Sequence, residues 1–175
     1  KFENPNKDRL APEFVKNIAD VVNAQCGDTL PVSAFNDIVD GTIPAGSTAF
    51  EKRGIAVKVP EWKAENCIQC NTCAFVCPHA AIRPFLMTAE EAAAAPADIK
   101  KAQGKAVFKE YTFTMQVSPA DCTGCGNCAD VCPAKEKALV MVNAETQDHE
   151  QANFEYLHTH VGYKDNVQPK TQNVK

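Results

Sequence analysis

Aromatic side chains are scarce in this 175-residue sequence, at 7% with a single Trp, so no large aromatic-rich core is on offer. An excess of positive charge is missing too: 18 Lys and Arg stand against 22 Asp and Glu, for a net charge of -4. That argues against a nucleic-acid binder, which needs a basic face to displace counterions from phosphates. No apolar run approaches the ~18 residues of a membrane span, so the chain reads as soluble. Nothing near Lys1 has the layout of a signal peptide, and the first residue is not Met, which suggests a piece of something longer. A nucleophile–base pair, a phosphate loop and a flavin fingerprint are also missing, so no catalytic residue is expected within the chain. Gly27-Asp28 could begin a thiamine-diphosphate motif, but no paired Asn follows at a suitable distance.

Cysteine, by contrast, is abundant. Eight of the nine fall into two runs, Cys67, Cys70, Cys73 and Cys77-Pro78, then Cys122, Cys125, Cys128 and Cys132-Pro133. Each run is C-x₂-C-x₂-C-x₃-C-P, the bacterial ferredoxin spacing. Three cysteines at two-residue intervals let one loop wrap a corner of an iron–sulfur cube. The fourth, at i+4 from the third, lies about 6 Å along a helix axis and suits a different cube. In two-cluster ferredoxins the fourth Cys indeed ligates the other cluster. The expected ligand sets for two [4Fe–4S] clusters are therefore Cys67, Cys70, Cys73 and Cys132 for the first, and Cys122, Cys125, Cys128 and Cys77 for the second. Structural zinc is the competing use of C-x₂-C pairs, but it would leave the third and fourth positions of each run without a purpose. Disulfides fit neither the odd count nor the missing secretory signal. Cys26 remains as a buried, non-ligating thiol.

Each motif sits in the same local frame. Strand-like Ile55–Val59 and Tyr111–Val117 precede the runs, and Ala81–Leu86 and Ala138–Val142 follow them,. The order predicts an α+β, ferredoxin-like β-α-β-β-α-β duplicated fold over residues 55–143. Ile68, Phe75, Val76 and Val131 are expected to pack on the clusters and keep water away. Gly124 and Gly126 flank Cys125 where Gln69 and Asn71 flank Cys70, and closer backbone N–H approach at the glycines would give the two clusters different potentials.

Forty-four residues separate Cys77 from Cys122, so an insertion is expected at about 87–109. In it Thr88 to Glu91 fits a helix capping box, Pro96 ends the helix, and Lys100 and Lys101 form a solvated patch. Upstream, Phe14, Ile18, Val21 and Val22 form a helical stripe stopped at Gly27, followed by an extended wrapping segment, so residues 1–54 read as a separate attachment. Residues 144–175 read as a linker arm anchored by Phe154, Tyr156 and Leu157. His158 and His160 in that arm have more claim to solvated roles than to sharing a metal, while His79 after Cys77-Pro78 has equal claims to tuning a cluster from behind its ligands and to a surface role.

Beyond the cysteines, four stretches resemble the pyruvate:ferredoxin (or flavodoxin) oxidoreductase family: Leu30-Pro-Val-Ser-Ala-Phe35, Gly46-Ser-Thr-Ala-Phe-Glu-Lys-Arg53, Asn66-Cys-Ile-Gln-Cys70 with Cys77-Pro-His79, and Asp121-Cys-Thr-Gly-Cys-Gly-Asn-Cys128. The likeness runs from about Pro12 to about Tyr156. It implies the two-cluster domain of a longer, homodimeric, cytoplasmic enzyme, or one in an anaerobic organelle of a protist. That enzyme would decarboxylate a 2-oxoacid on thiamine diphosphate with Mg2+, pass the two-carbon unit to coenzyme A, and send electrons through a further [4Fe–4S] cluster to the two of this chain. A ferredoxin or flavodoxin would receive them, with Lys58, Lys63, Lys135 and Lys137 assisting its docking. A free-standing two-cluster ferredoxin, or the iron–sulfur subunit of another oxidoreductase, is the alternative; the Leu30–Phe35 and Gly46–Arg53 stretches disfavour both.

Overall fold

A stripe of four apolar residues predicts an α-helix near the N-terminus, yet the chain there winds more widely. In the computed structural model, which describes residues 10–165 and 167, Val15–Ala19 form a π-helical turn that runs into α1 (Asp20–Asn23). The Asp20 N–H bonds to the Val15 carbonyl, five residues back. One extra residue in a turn rotates everything after it by roughly 100°. Val15 and Val21 are consequently buried while Val22 faces out. The left-handed residue that stops the helix is Gln25 (φ 60°), not Gly27, and Gly27–Thr29 form a 3-10 turn. Residues expected to run extended instead coil into further 3-10 turns at Val32–Ile38 and Ser47–Phe50. These elements belong to the first of two compact units, Lys1–Lys52; the second is Arg53–Lys175.

The second unit contains β1 (Lys58–Trp62), α2 (Thr72–Phe75), β2 (Ile82–Met87), α3 (Ala89–Ala94), β3 (Ala102–Gln103), β4 (Thr112–Val117), α4 (Asn127–Asp130), β5 (Leu139–Asn143) and α5 (Glu150–His160). Strand β1 starts three residues later than expected. Ile55 and Val57 are exposed, and the strand instead carries Pro60, opposite Met141. Proline is tolerated because β1 belongs to a two-stranded sheet with β5 and keeps an unpaired edge,. The other sheet has the order β2-β4-β3, all antiparallel. Both main pairings join the first half of the unit to the second, β1 with β5 and β2 with β4, so neither half forms its sheets alone.

Between the sheets lies a core of Trp62, Ile82, Phe113, Met115, Val117 and Leu139, joined by two of the motif cysteines, Cys67 and Cys128. Trp62 and Phe113 meet edge-on, with centroids 5.9 Å apart. A second core of Met87, Ala95, Ile99 and Leu157 fastens the insertion to the C-terminal helix. The segment expected as a linker arm thus carries an 11-residue helix that packs on β4; residues 166 and 168–175 of that arm lie outside the described residues. The capping box at Thr88 and Glu91 forms in both directions. Lys100 and Lys101 are tied down: Lys100 pairs with Glu61 at 2.7 Å, and Lys101 donates to the Ala92 carbonyl at 2.9 Å. His158 stacks on Phe154 and His160 on Tyr156, so alternate positions of α5 send the two rings to different neighbours.

Candidate metal centre

The two cysteine loops repeat one backbone design. At the third position of each run, φ is positive, 60° at Gln69 and 72° at Gly124; at the fifth it is 61° at Asn71 and 81° at Gly126. These left-handed residues curl each loop so that its amides point inward. The Gln69 N–H donates to Cys67 Sγ and the Gly124 N–H to Cys122 Sγ, each at 3.4 Å. At this position glycine brings its N–H no closer to the cysteine sulfur than glutamine does. What distinguishes Gly124 is space: a Cβ there would stand 2.9 Å from the Lys58 carbonyl oxygen. A short helix follows each loop, α2 after the first and α4 after the second, and the two pack together.

Two hollows open beside these loops. One is lined by Cys67, Cys70, Cys73 and Cys132. The other is lined by Cys77, Cys122, Cys125 and Cys128. The fold thus sorts the eight thiols four and four, with the last cysteine of each run in the hollow of the other run. The hollows adjoin: Cys67 and Cys128, one from each, share a buried cluster on which Cys73, Cys77 and Cys132 pack. Apolar walls come from Trp62, Met115 and Leu139 in the first, and from Ile82, Val117 and Met141 in the second. Of the residues expected to cover the clusters, Ile68 lines the first hollow but is half-exposed, Val131 is exposed, and Phe75 points into solvent at 92% exposure. Phe75 stands two positions after Cys73, about 200° around a helix, so a cysteine turned inward sends it outward. His79 is exposed at the mouth of the second hollow. Cys26 sits in the first unit, partly exposed, with its thiol 3.5 Å from the Ala24 carbonyl.

Burial raises the thiols deepest in the site: Cys73 is pushed up to about 12 and Cys128 to about 11, and Cys122 also rises. Cys70 moves down, because the Thr72 hydroxyl donates to its sulfur at 3.3 Å. Ionising the deep thiols in such surroundings requires a cation to arrive with the charge. A single zinc ion would need its sulfurs within about 4 Å of one another. Among the described residues no three Cys, His, Asp or Glu stand closely enough to hold one ion. The donor set, four thiols around each hollow with N–H groups aimed at sulfur, fits a [4Fe–4S] cube instead. Trp62, whose indole N–H is buried without a protein acceptor, is one of the residues that line the first hollow.

Known proteins point the same way. A family described as a 4Fe-4S dicluster domain matches residues 66–135, and a second family of the same description matches 114–164; the two overlap, and eight cysteines suffice for two clusters. A domain of unknown function matches residues 1–56. The chain is 54% identical over 140 residues to a pyruvate-flavodoxin oxidoreductase of Klebsiella pneumoniae, covering 79% of this chain and 12% of that protein. It is 52% identical over 163 residues to the pyruvate:ferredoxin oxidoreductase of Moorella thermoacetica, covering 91% and 14%. A pyruvate dehydrogenase [NADP(+)] of Cryptosporidium parvum is 47% identical over 148 residues, 83% of this chain and 7% of that protein. The chain spans roughly an eighth of the length of the first two relatives.

Proposed function

From the premise that this chain belongs to the pyruvate:ferredoxin (flavodoxin) oxidoreductase family, we propose that it relays single electrons from 2-oxoacid oxidation through two [4Fe–4S] clusters to a ferredoxin or flavodoxin. The observation that carries this is the sorting of eight motif cysteines into two adjoining hollows, four to each. Cys67, Cys70, Cys73 and Cys132 would hold the first cluster, and Cys122, Cys125, Cys128 and Cys77 the second. The matched 4Fe-4S families and the thiol geometry support this assignment. The clusters supply one-electron acceptance and release without bond chemistry.

The chain's own residues do the rest. The crossed cysteines at the ends of α2 and α4 fix the separation of the two sites. Trp62, Met115, Ile82 and Val117 keep water from them, which helps set the potentials. Strand order, repeated positive-φ pattern and crossed pairing favour reading residues 55–143 as one duplicated β-α-β unit, with α3, β3 and the following loop inserted between its halves. Thiamine diphosphate, Mg2+, the coenzyme A site and a further cluster would lie in other parts of the enzyme, which we place in the cytoplasm as a homodimer. No helix among the described residues is long and apolar enough to cross a membrane.

Lys58 and Lys135 are exposed and would face an acidic acceptor, whereas Lys63 is paired with Glu61 and Lys137 is held by the carbonyls of Asp130 and Cys132. The functional reading is tested on the whole enzyme, with its thiamine-binding parts present, purified anaerobically: a brown protein whose visible absorption bleaches on adding pyruvate and coenzyme A supports it. A colourless protein, or absorption that dithionite bleaches but pyruvate with coenzyme A does not, contradicts it.

A further inference from the structure

The first cysteine loop is fastened to the insertion by contacts that residue 124 of the second loop cannot make. Gln69 occupies a left-handed position at which Gly124 stands in the second run, a conformation disfavoured for a residue with a side chain,. Its amide bridges to the insertion: Nε2 donates to the Gln103 carbonyl at 2.8 Å, and Oε1 accepts from the Lys105 N–H at 2.9 Å. Lys105 then reaches back, its ammonium donating to the carbonyl of Cys67 at 2.8 Å. The loop that presents Lys105 is itself closed. The Gly104 N–H bonds to the Tyr111 carbonyl, and Tyr111 N–H to Phe108. A Cβ on Gly104 would stand 2.0 Å from the Phe108 carbonyl oxygen. Ala106 adds a further left-handed residue. Lys137, on the other side, donates to the carbonyl of Cys132 at 2.9 Å, so two ammonium groups are anchored on two of the four cysteines that line the first hollow.

We propose that Gln69 and Lys105 form a latch that holds a cation against the first cluster site and raises its reduction potential, making the two sites unequal as electron carriers. Gln69 is a positioning residue; Lys105 supplies the charge. Reduction of a site adds one electron and no proton, and breaks no bond, so the added negative charge is stabilised by whichever cation is held nearest. An ammonium free to swing in solvent is screened and averages out; one fixed to a ligand's own carbonyl, as in exposed Lys105, keeps its distance to the site even though solvent still reaches it. This accounts for a glutamine at a position whose backbone favours glycine.

The inference rests on the two-cluster reading, and its test separates the two. EPR-monitored redox titration of the cluster-loaded protein is expected to show that Lys105→Met lowers one midpoint and leaves the other in place, while Lys105→Arg keeps both. Gln69→Gly, which relieves the backbone and frees the loop, is expected to lower the same midpoint. Hydrogen exchange gives a second readout: the Lys105 amide is protected in the native protein and loses that protection in Gln69→Gly. Midpoints that stay put in Lys105→Met, or that move together by the same amount, overturn the latch, as does a Lys105 amide that exchanges equally fast with and without Gln69. A colourless protein overturns the cluster reading and this inference with it.

Discussion

At residues 124 and 126 two glycines share a left-handed backbone but not the same constraint. Gly124 is hemmed in by the Lys58 carbonyl and Ala56, while nothing lies within 4 Å of where a Cβ would sit on Gly126. Gly124→Ala is therefore expected to cost the backbone strain of about 1–2 kcal/mol and to force β1 away from the second loop. Gly126→Asn, which copies Asn71, is expected to cost well under ~1 kcal/mol. Thermal unfolding and iron content of the two variants compare them directly; equal losses would mean that the Lys58 contact constrains nothing. Ser118 is another residue whose surroundings were invisible in the motif. It is fully buried, its N–H donates to the Ala81 carbonyl and its carbonyl accepts from Cys122. Its hydroxyl lies 2.7 Å from Asp121 Oδ2 and 2.9 Å from Gln151 Oε1, so α5 buttresses the start of the second loop from 29 residues beyond Cys122.

Among the elements, α3 and α5 show how the insertion is held. Glu91 closes the capping box on Thr88 and also meets the Lys164 ammonium at 2.7 Å. Burial works against its ionisation, but Lys164 and the N–H groups of Thr88 and Gly162 outweigh it and hold the carboxyl below its ordinary value of 4.5. A depressed carboxyl contributes stability that is present above the unfolded value and lost as pH falls through the folded one. Gln at this position can keep the capping box, so Glu91→Gln is expected to lower stability at pH 7 by about 1 kcal/mol or less through loss of the Lys164 pair, with the gap from the native protein closing below pH 4.5. Melting curves at several pH values check this; a gap independent of pH would exclude the charge as its source. Leu157, which is fully buried against Met87 and Ile99, is expected to cost 2–5 kcal/mol as Leu157→Ala, and unfolding by denaturant measures it. The capping box and the strands around the second run were legible because caps, alternation and cysteine spacing are local signals. The π-helical turn at Val15–Ala19 was not, since a turn one residue wider leaves no mark in an apolar stripe. The late start of β1 was missed because Ile55 and Val57 look like strand residues, and only the pairing of Pro60 with Met141 shows where the strand lies. The role of α5 was half-legible: Phe154 and Leu157 announced an anchor, but its partners, Met87 and Phe85, lie some 70 residues earlier.

For the molecule as a whole, charge and electron flow are the same question. On the proposed electron-relay reading, a side-chain charge of -4 with about -2 for each oxidised cluster would give about -8, which would repel an acidic acceptor unless local cations such as Lys58 and Lys135 counter it. Acceptor reduction is expected to vary with ionic strength, and Lys58→Gln with Lys135→Gln to slow it most at low salt; stopped-flow rates indifferent to both would place docking elsewhere. The central claim is the crossed sharing of the two clusters, and paired cysteine variants test it most directly. EPR of the reduced protein is expected to show Cys77→Ala altering the same cluster signal as Cys122→Ala, and Cys132→Ala altering the signal that Cys67→Ala does. If Cys77→Ala instead altered the signal that Cys67→Ala alters, each run would hold its own cluster and the crossed arrangement would be wrong.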